Sequence, residues 1–131
     1  MDGAEFEKWT ARLLARSGCR DVRVVGRSGD MGADVVAISP SGGRLVVQCK
    51  RYTDKKVGSG SVQSFSGTAW HIHKASLAMM VTTTAFTKPA QEVAARIPGM
   101  VLIDRSALAE WARTDVLPGI DGAVRRSPAS A

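Results

Sequence analysis

The sequence has few of the features that secreted, membrane-bound or nucleotide-hydrolysing proteins need. Among its 131 residues there are only two cysteines, Cys19 and Cys49, and their spacing fits neither a metal site nor a CxxC motif. We interpret them as reduced thiols of a cytoplasmic protein, with Cys49 in the core. No apolar run reaches the roughly 18 residues that span a membrane. The N-terminal stretch has no signal-peptide pattern, and the chain has no P-loop motif.

The charge of the chain is biased toward basic residues. A formal net charge of +6 and 44% hydrophobic residues predict one domain with its own core and a basic surface. Basic side chains concentrate at 50–56 and among the arginines of 12–27. Such clusters are suited to a phosphate backbone, and solvated surface charge is the alternative explanation. We expect the domain to cover residues 1–117 and a disordered tail to cover residues 118–131.

The hydrophobic periodicity predicts elements in the order α-β-β-β-α-β-α-β-α. Helices are predicted over 3–17, 61–73, 88–97 and 106–113, the last one capped by Ser106, and strands over 22–25, 33–38, 44–51, 77–82 and 100–103. Early antiparallel strands followed by crossover connections predict an α/β fold with a mixed central sheet of about five strands flanked by helices.

The third predicted strand, R-L-V-V-Q-C-K-R, ends in polar residues of an unusual kind. Alternation along a strand puts Gln48 and Lys50 on one face and Cys49 on the other. The hairpin would bring Asp34 beside them. A carboxylate and an amide oxygen suit a hard divalent cation, and an ammonium group can stabilise the charge that develops in phosphodiester hydrolysis. An edge strand with a solvated polar face is the alternative.

The first helix offers two further carboxylates, Glu5 and Glu7. Successive helical residues are separated by roughly 100°. Glu5 therefore falls on a charged stripe with Lys8 and Arg12, where we interpret it as an ordinary ion-pairing residue. Glu7 falls beside Leu14 at the edge of the apolar face, from which a carboxylate can reach the strand ends. We favour Glu7 as the additional site residue.

These segments together resemble the Mrr-type restriction endonuclease catalytic domain, a branch of the PD-(D/E)xK nuclease superfamily. The resemblance extends over about residues 3–113. It depends on the order along the chain of G-A-E-F-E with L-L-A-R-S-G, G-D-M-G-A-D-V-V-A, V-V-Q-C-K-R-Y, V-G-S-G-S-V-Q-S-F-S-G, V-T-T-T-A-F-T-K-P-A and V-L-I-D-R-S-A-L. An acid followed at a distance by Q-x-K is common by chance, so the ordered set carries the likeness.

The resemblance implies a restriction-endonuclease-like three-layer sandwich and a DNA endonuclease that depends on Mg²⁺, or alternatively Mn²⁺. It implies Asp34, Gln48 and Lys50 as the active site, and it matches the first-helix glutamate to Glu7. The metal ligands would then be Asp34, Gln48 and Glu7. Gln48 stands where the wider superfamily more often has an acid, a variant of the Mrr branch that should weaken metal affinity in the free protein. Asp30 also fits the family's D-x-G-x-D pattern, where it either assists at the site or caps a turn.

The DNA contacts are expected on the segment that follows the Q-x-K strand. We assign them to five residues, Arg51, Lys55, Lys56, Ser59 and Gln63, although a solvated helix position would also explain Gln63. The threonines at 82–84 either contact phosphates or simply end a buried strand. Contacts of this kind position a duplex without reading its sequence.

The expected partner is DNA, with specificity supplied by a separate domain or partner protein. The chain is then either a fragment of a longer protein or a minimal nuclease that pairs with a partner. Cleavage of both strands would favour a homodimer. Two alternative functions remain: a nuclease similar to Holliday-junction resolvases, and a non-catalytic DNA-binding module on the nuclease fold. The intact set of Asp34, Gln48 and Lys50 argues against the second.

Overall fold

The computed structural model describes residues 1–25 and 32–118 of the chain. The four helices and five strands in these ranges are α1 (Gly3–Arg16), β1 (Arg20–Val24), β2 (Val35–Ile38), β3 (Arg44–Lys50), α2 (Ser59–Gly67), β4 (Leu77–Thr82), α3 (Lys88–Ala95), β5 (Met100–Ile103) and α4 (Arg105–Thr114). A π-helical turn, Thr68–Ile72, continues α2. The predicted order of elements is confirmed. Asp30 and residues 119–131 lie outside the described residues, so the predicted tail and domain boundary stay predictions.

The five strands form a single mixed sheet in the order β1-β2-β3-β4-β5. β1, β2 and β3 pair antiparallel, and β3, β4 and β5 pair parallel. The change of direction follows from the connections, because a short turn joins β2 to β3 whereas helices join the later strands. The carboxyl ends of β3, β4 and β5 therefore meet at one edge of the sheet, and Lys50 pairs there with Thr82.

Two hydrophobic clusters cover the two faces of the sheet and make the molecule a three-layer sandwich. On one face, α1 and α4 pack on alternate residues of β2, β3 and β4, including Leu45 and Val47. On the other face, α2 and α3 pack on the intervening residues, including Val46. Burial of both faces explains why the middle strands are almost continuously apolar. The predicted α/β fold with a five-stranded mixed sheet is confirmed.

The end of the described chain is fastened to α1. The Trp111 indole N–H donates to the Ser17 hydroxyl at 2.8 Å, and that hydroxyl donates to the Leu13 carbonyl at 2.7 Å. Trp111 itself is buried, and so is Leu117. Arg16 also forms an ion pair with Asp115, at 3.0 Å. These contacts join the last helix to the first one.

Within the described ranges, no helix is both long and apolar enough to cross a bilayer.

Two interpretations of helix ends and one helix boundary were wrong. The cap of α4 is Asp104, whose carboxylate accepts from the Ala107 N–H at 2.9 Å, and not Ser106. Glu5 completes a capping box with Asp2, in which each side chain accepts from the other residue's backbone N–H, so it is no ion-pairing residue. The predicted helix 61–73 begins earlier, at Ser59, and changes to π-helical geometry at Thr68.

The cap of α4 can be tested by a pair of substitutions. Asp104→Ala removes the acceptor for an otherwise unbonded N–H and should lower the free energy of unfolding by about 1 kcal/mol. Ser106→Ala, which removes the residue that the sequence pattern favoured, should change it by less than about 0.5 kcal/mol. Urea denaturation followed by circular dichroism measures both values. The reverse ranking of the two variants would mean that the helix begins later than the structure places it.

Candidate active site

The candidate site lies at the end of the antiparallel β2–β3 pair, next to the pair of Val35 and Val47. Asp34 directly precedes β2, and its backbone N–H donates to the Val47 carbonyl at 2.9 Å. Its carboxylate turns toward β3, where the Oδ2 atom accepts from the Cys49 N–H at 2.8 Å. This side-chain bond fastens Asp34 to the residue between Gln48 and Lys50. The structure therefore places the acid of the predicted trio beside the Q-C-K segment.

Gln48 lies on the side of β3 that faces α2. It is half-buried, and its amide lies near Gly32. A Cβ atom built on Gly32 would come within 3.2 Å of Thr68 Oγ1 and 3.4 Å of Gln48 Nε2. Gly32 also has φ +89°, a conformation that L side chains rarely adopt. The positive φ makes any other residue strained at this position, and an added Cβ would crowd the Thr68 hydroxyl while making ordinary contact with the Gln48 amide.

Glu7 approaches the same strand from the opposite face, from the buried side of α1. Burial raises the pKa of the Cys49 thiol to about 12, and the negative charges of Asp34 and Glu7 act in the same direction, while the adjacent Thr10 hydroxyl opposes them. Both carboxylates thus lie close enough to influence one thiol. Cys49 packs against the α1 and α4 cluster as a half-buried residue, which agrees with the predicted core position.

The four predicted catalytic residues surround the end of β3, but they do not all share one face. Asp34 and Glu7 lie near Cys49, Gln48 lies on the α2 side, and Lys50 follows as the last residue of the strand. Within residues 1–25 and 32–118, no group of three or more His, Cys, Asp or Glu side chains could hold a metal ion. The predicted ligands are two carboxylates and one amide, oxygen groups of the kind that suit a hard cation which retains several waters.

The basic segment that follows β3 is exposed and held by threonines. Arg51, Lys55 and Lys56 are exposed, and the Lys55 ammonium lies 4.5 Å from the centre of the Tyr52 ring. Hydroxyl groups of the threonines at the end of β4 donate to three backbone carbonyls at the end of β3 and in this segment: Thr82 to Lys50 at 2.8 Å, Thr83 to Tyr52 at 2.6 Å and Thr84 to Lys55 at 2.8 Å. The threonines support the basic segment, so their hydroxyl protons are already used within the protein.

The remaining predicted contacts lie at the start of α2. Ser59 is the first residue of this helix and is half-buried, and Gln63 is exposed one turn later. The N-cap is Gly58, which has no side chain with which to bond the first backbone N–H groups. Thr68 lies near Gly32 and was not singled out from the sequence. Its only sequence signal is a polar β-branched residue in a helix, which does not reveal its neighbours.

The fold and the polar cluster define the class of protein. A five-stranded mixed sheet between two helical layers, with an acid facing a Gln-x-Lys strand end, is the restriction-endonuclease-like nuclease architecture. A family model described as restriction endonuclease, the Mrr catalytic domain, matches residues 1–112. The chain belongs to this Mrr catalytic-domain family of restriction endonucleases and is a nuclease domain of the Mrr type.

Individual relatives agree with this family. The chain is 37% identical over 90 residues to the type IV methyl-directed restriction enzyme EcoKMrr of Escherichia coli (strain K12), which is 67% of this chain and 29% of that enzyme. It is also similar to MspJI restriction endonuclease in complex with a 27-mer oligonucleotide, with TM-score 0.62 and 26% identity over 97% of this chain and 31% of that chain. The DNA modification-dependent restriction endonuclease AspBHI shares the fold, with TM-score 0.56 and 20% identity over 97% of this chain and 36% of that chain. This chain spans 29% of the length of the curated relative.

The raised pKa of Cys49 leads to a test of the local geometry. At pH 8 the folded protein should react with iodoacetamide at Cys49 at least about 100-fold more slowly than the urea-unfolded protein, because the thiolate is the reactive form. Mass spectrometry of the peptides separates Cys49 from Cys19. Folding raises this pKa, so ionisation of Cys49 should not make the free energy of unfolding depend on pH below about pH 9. As the pH rises from 9 toward 12, the free energy of unfolding should fall, because the thiol ionises in the unfolded chain first. Equal labelling rates in the two states would contradict a buried, protonated thiol.

Proposed function

We propose that this chain is a divalent-metal-dependent domain that hydrolyses DNA phosphodiester bonds. The observation that carries the proposal is the bond from the Cys49 N–H to the Asp34 carboxylate, which holds the acid beside the strand that bears Gln48 and Lys50. Membership of the Mrr restriction endonuclease family supports the reaction class. The non-catalytic alternative is less favoured because Asp34 bonds directly to the strand that carries Gln48 and Lys50.

The proposed ligands of the cation are the carboxylates of Asp34 and Glu7 and the amide oxygen of Gln48. These hard oxygen donors suit Mg²⁺ or Mn²⁺, and the small number of negative charges suits a site that the bound phosphate completes. When bound, such a cation polarises the phosphate and makes its water ligand more acidic. The contribution of the chain is orientation: the Cys49 N–H fixes Asp34, and the packing of α1 fixes Glu7.

Lys50 is the proposed group for the attacking water. It is half-buried at the carboxyl end of β3, and its backbone carbonyl is held by the Thr82 hydroxyl. Among the residues that the structure describes, Lys50 forms no ion pair. Its ammonium group is therefore available to orient a water and to stabilise the negative charge that develops on the phosphate oxygens.

The exposed segment from Arg51 to Lys56 is the proposed contact with the DNA backbone. Positive charge near a phosphodiester chain increases affinity for any sequence, so this contact would not select a cleavage site. EcoKMrr is named as methyl-directed, and we propose that selection of the substrate by this chain comes from a further domain or a partner. A homodimer is proposed for cleavage of both strands.

The catalytic assignment can be tested with Lys50→Ala. Loss of the ammonium group should lower the rate of supercoiled plasmid nicking in Mg²⁺ or Mn²⁺ by at least about 100-fold, because charge stabilisation of this type contributes several kcal/mol to the barrier. Lys8→Ala removes an exposed charge from α1 and should leave the rate within about threefold. EDTA should abolish nicking by the wild type. Equal rates for wild type and Lys50→Ala would overturn the assignment, and DNA binding without any nicking would favour the non-catalytic module.

The DNA-binding assignment can be tested by salt dependence. Replacing Lys55 and Lys56 together by alanine should reduce the slope of log affinity against log salt concentration by about 2 and weaken binding to unrelated duplexes equally. The matched control replaces Arg20 by alanine and Lys74 by glycine. Both residues are exposed, Arg20 pairs with Ile38 near the start of β3, Lys74 precedes β4, and Lys74 has φ 57°. Fluorescence anisotropy in Ca²⁺ measures both slopes. An equal reduction in the control would place the DNA elsewhere.

A further inference from the structure

The basic segment, residues 51–56, is fastened at both ends to the end of β4 and to the residues after it. On one side of the segment, the Lys50 carbonyl accepts from the Thr82 hydroxyl at 2.8 Å. On the other side, the Val57 N–H donates to the Ala85 carbonyl at 2.8 Å. Because β3 and β4 are paired in the sheet, both attachments connect the segment to the core. The segment therefore has a defined position relative to Lys50.

Tyr52 is held within this segment through both of its backbone polar groups by one side chain. Its N–H donates to the Thr83 hydroxyl oxygen at 2.9 Å, and its carbonyl accepts from the same hydroxyl at 2.6 Å. A threonine hydroxyl has one proton and two lone pairs, so it can serve both groups at once. The Tyr52 side chain is half-buried and packs against the cluster that α2 and α3 cover. The backbone and the ring of Tyr52 are thus both fixed.

Lys55 is held at its backbone and at the end of its side chain. The Thr84 hydroxyl donates to the Lys55 carbonyl at 2.8 Å. The Lys55 ammonium lies 4.5 Å from the centre of the Tyr52 ring, where the negative face of the ring attracts a cation. The ring covers one side of the ammonium, and Lys55 is exposed, so N–H donors remain for a phosphate oxygen.

A lysine that is held in this way differs from a free surface lysine in the cost of binding. A free side chain loses rotamer freedom when its ammonium group contacts a phosphate, whereas a held side chain has lost part of that freedom already. The charge is the same in both cases, so the number of counterions that binding releases from DNA is the same. The ring should therefore change the affinity for DNA without changing its salt dependence.

We propose that Tyr52 is a positioning residue that preorganises Lys55 as a contact for the DNA backbone, and that Thr83 holds Tyr52 in turn. The proposal rests on the proposed function, because it assigns a support to one of the proposed DNA contacts. The support runs from the end of β4 through Thr83 and Tyr52 to Lys55. The neighbouring Thr82 bonds the Lys50 carbonyl, so one row of threonines holds both the phosphate contact and the proposed catalytic lysine.

The test is a double-mutant cycle between Tyr52 and Lys55 in the full chain. Tyr52→Leu removes the ring and keeps an apolar side chain in the cluster, and Tyr52→Phe keeps the ring and removes only the hydroxyl. Each is made alone and together with Lys55→Ala. Fluorescence anisotropy with a DNA duplex in Ca²⁺ measures the affinity across a series of salt concentrations, so the readout does not depend on cleavage.

We expect Tyr52→Leu to weaken DNA binding by about three- to fivefold at a fixed salt concentration, as loss of an exposed cation–π contact does. The slope of log affinity against log salt concentration should stay within about 0.3 of the wild type, whereas Lys55→Ala should reduce its magnitude by about 1. Tyr52→Phe should bind within about 1.5-fold of the wild type. In the Lys55→Ala background, Tyr52→Leu should change the affinity by less than about 1.5-fold.

Thr83 supplies a second variant that leaves the ring in place. Thr83→Val removes the hydroxyl that bonds Tyr52 and should weaken binding by about threefold, whereas Thr83→Ser keeps the hydroxyl and should bind within about 1.5-fold of the wild type. The matched control is Trp70→Leu, which removes another half-buried ring that packs on the same cluster, beside Gly99 and before the start of β5. It should leave DNA binding within about 1.5-fold. Thermal unfolding followed by circular dichroism shows whether each variant is folded.

The outcomes separate the two levels of the proposal. If the wild type binds and nicks DNA while Tyr52→Leu and Thr83→Val bind as tightly, the positioning role is overturned and the nuclease stands. An equal loss from Tyr52→Leu with and without Lys55 would also overturn it, because the ring would then act on the DNA or on the fold. A slope reduced as much as in Lys55→Ala would overturn preorganisation, since the lysine contact would then be lost. If the wild type does not bind DNA, the proposed function fails together with this inference.

Discussion

The hydrogen bond from the Cys49 N–H to the Asp34 carboxylate is the interaction on which the candidate site depends. The β2–β3 ladder ends at the pair of Val35 and Val47, and beyond it the side chain of Asp34 takes the place of a backbone partner. A bond between an ionised acceptor and a backbone donor is stronger than the neutral bond it replaces. The same contact thus completes the pairing of two strands and fixes the direction of the acid that is the candidate metal ligand. Secondary structure and site are not separable here.

The strand β3 also brings two helical layers into contact with one small region. Cys49 faces the α1 layer and Gln48 faces the α2 layer. The candidate site therefore takes the Glu7 carboxylate from one helical layer, and the amide of Gln48 lies against the other. The burial that raises the pKa of Cys49 keeps this thiol neutral at physiological pH. A neutral group between Asp34 and Glu7 adds no third negative charge, which would otherwise repel both carboxylates.

The sequence predicted the features that depend on periodicity and on short connections. The element order, the mixed sheet and the approach of Asp34 to the strand of Gln48 and Lys50 all follow from strand alternation and a hairpin turn. It did not predict which of two suitable residues caps α4. Asp104 and Ser106 are both good N-caps, and Asp104 takes the role because β5 ends directly before it. It also missed the position of Thr68 near Gly32, which depends on the change of α2 to π-helical geometry at Thr68. Hydroxyl groups at 82–84 were consistent with phosphate binding, and only the folded backbone showed that they bond the segment after β3.

The link from Trp111 through Ser17 to the Leu13 carbonyl has a consequence for moving this unit into other proteins. Glu7 lies on α1, and α1 is held in place by a helix that comes almost 100 positions later in the chain. If this domain is fused to a new targeting domain, the fused segment therefore has to extend through the buried Leu117. A shorter segment would keep Asp34, Gln48 and Lys50 but would lose the packing of α4 that holds α1, and with it Glu7, in place. For this nuclease unit, the minimal portable segment is set by packing and not by the catalytic motif.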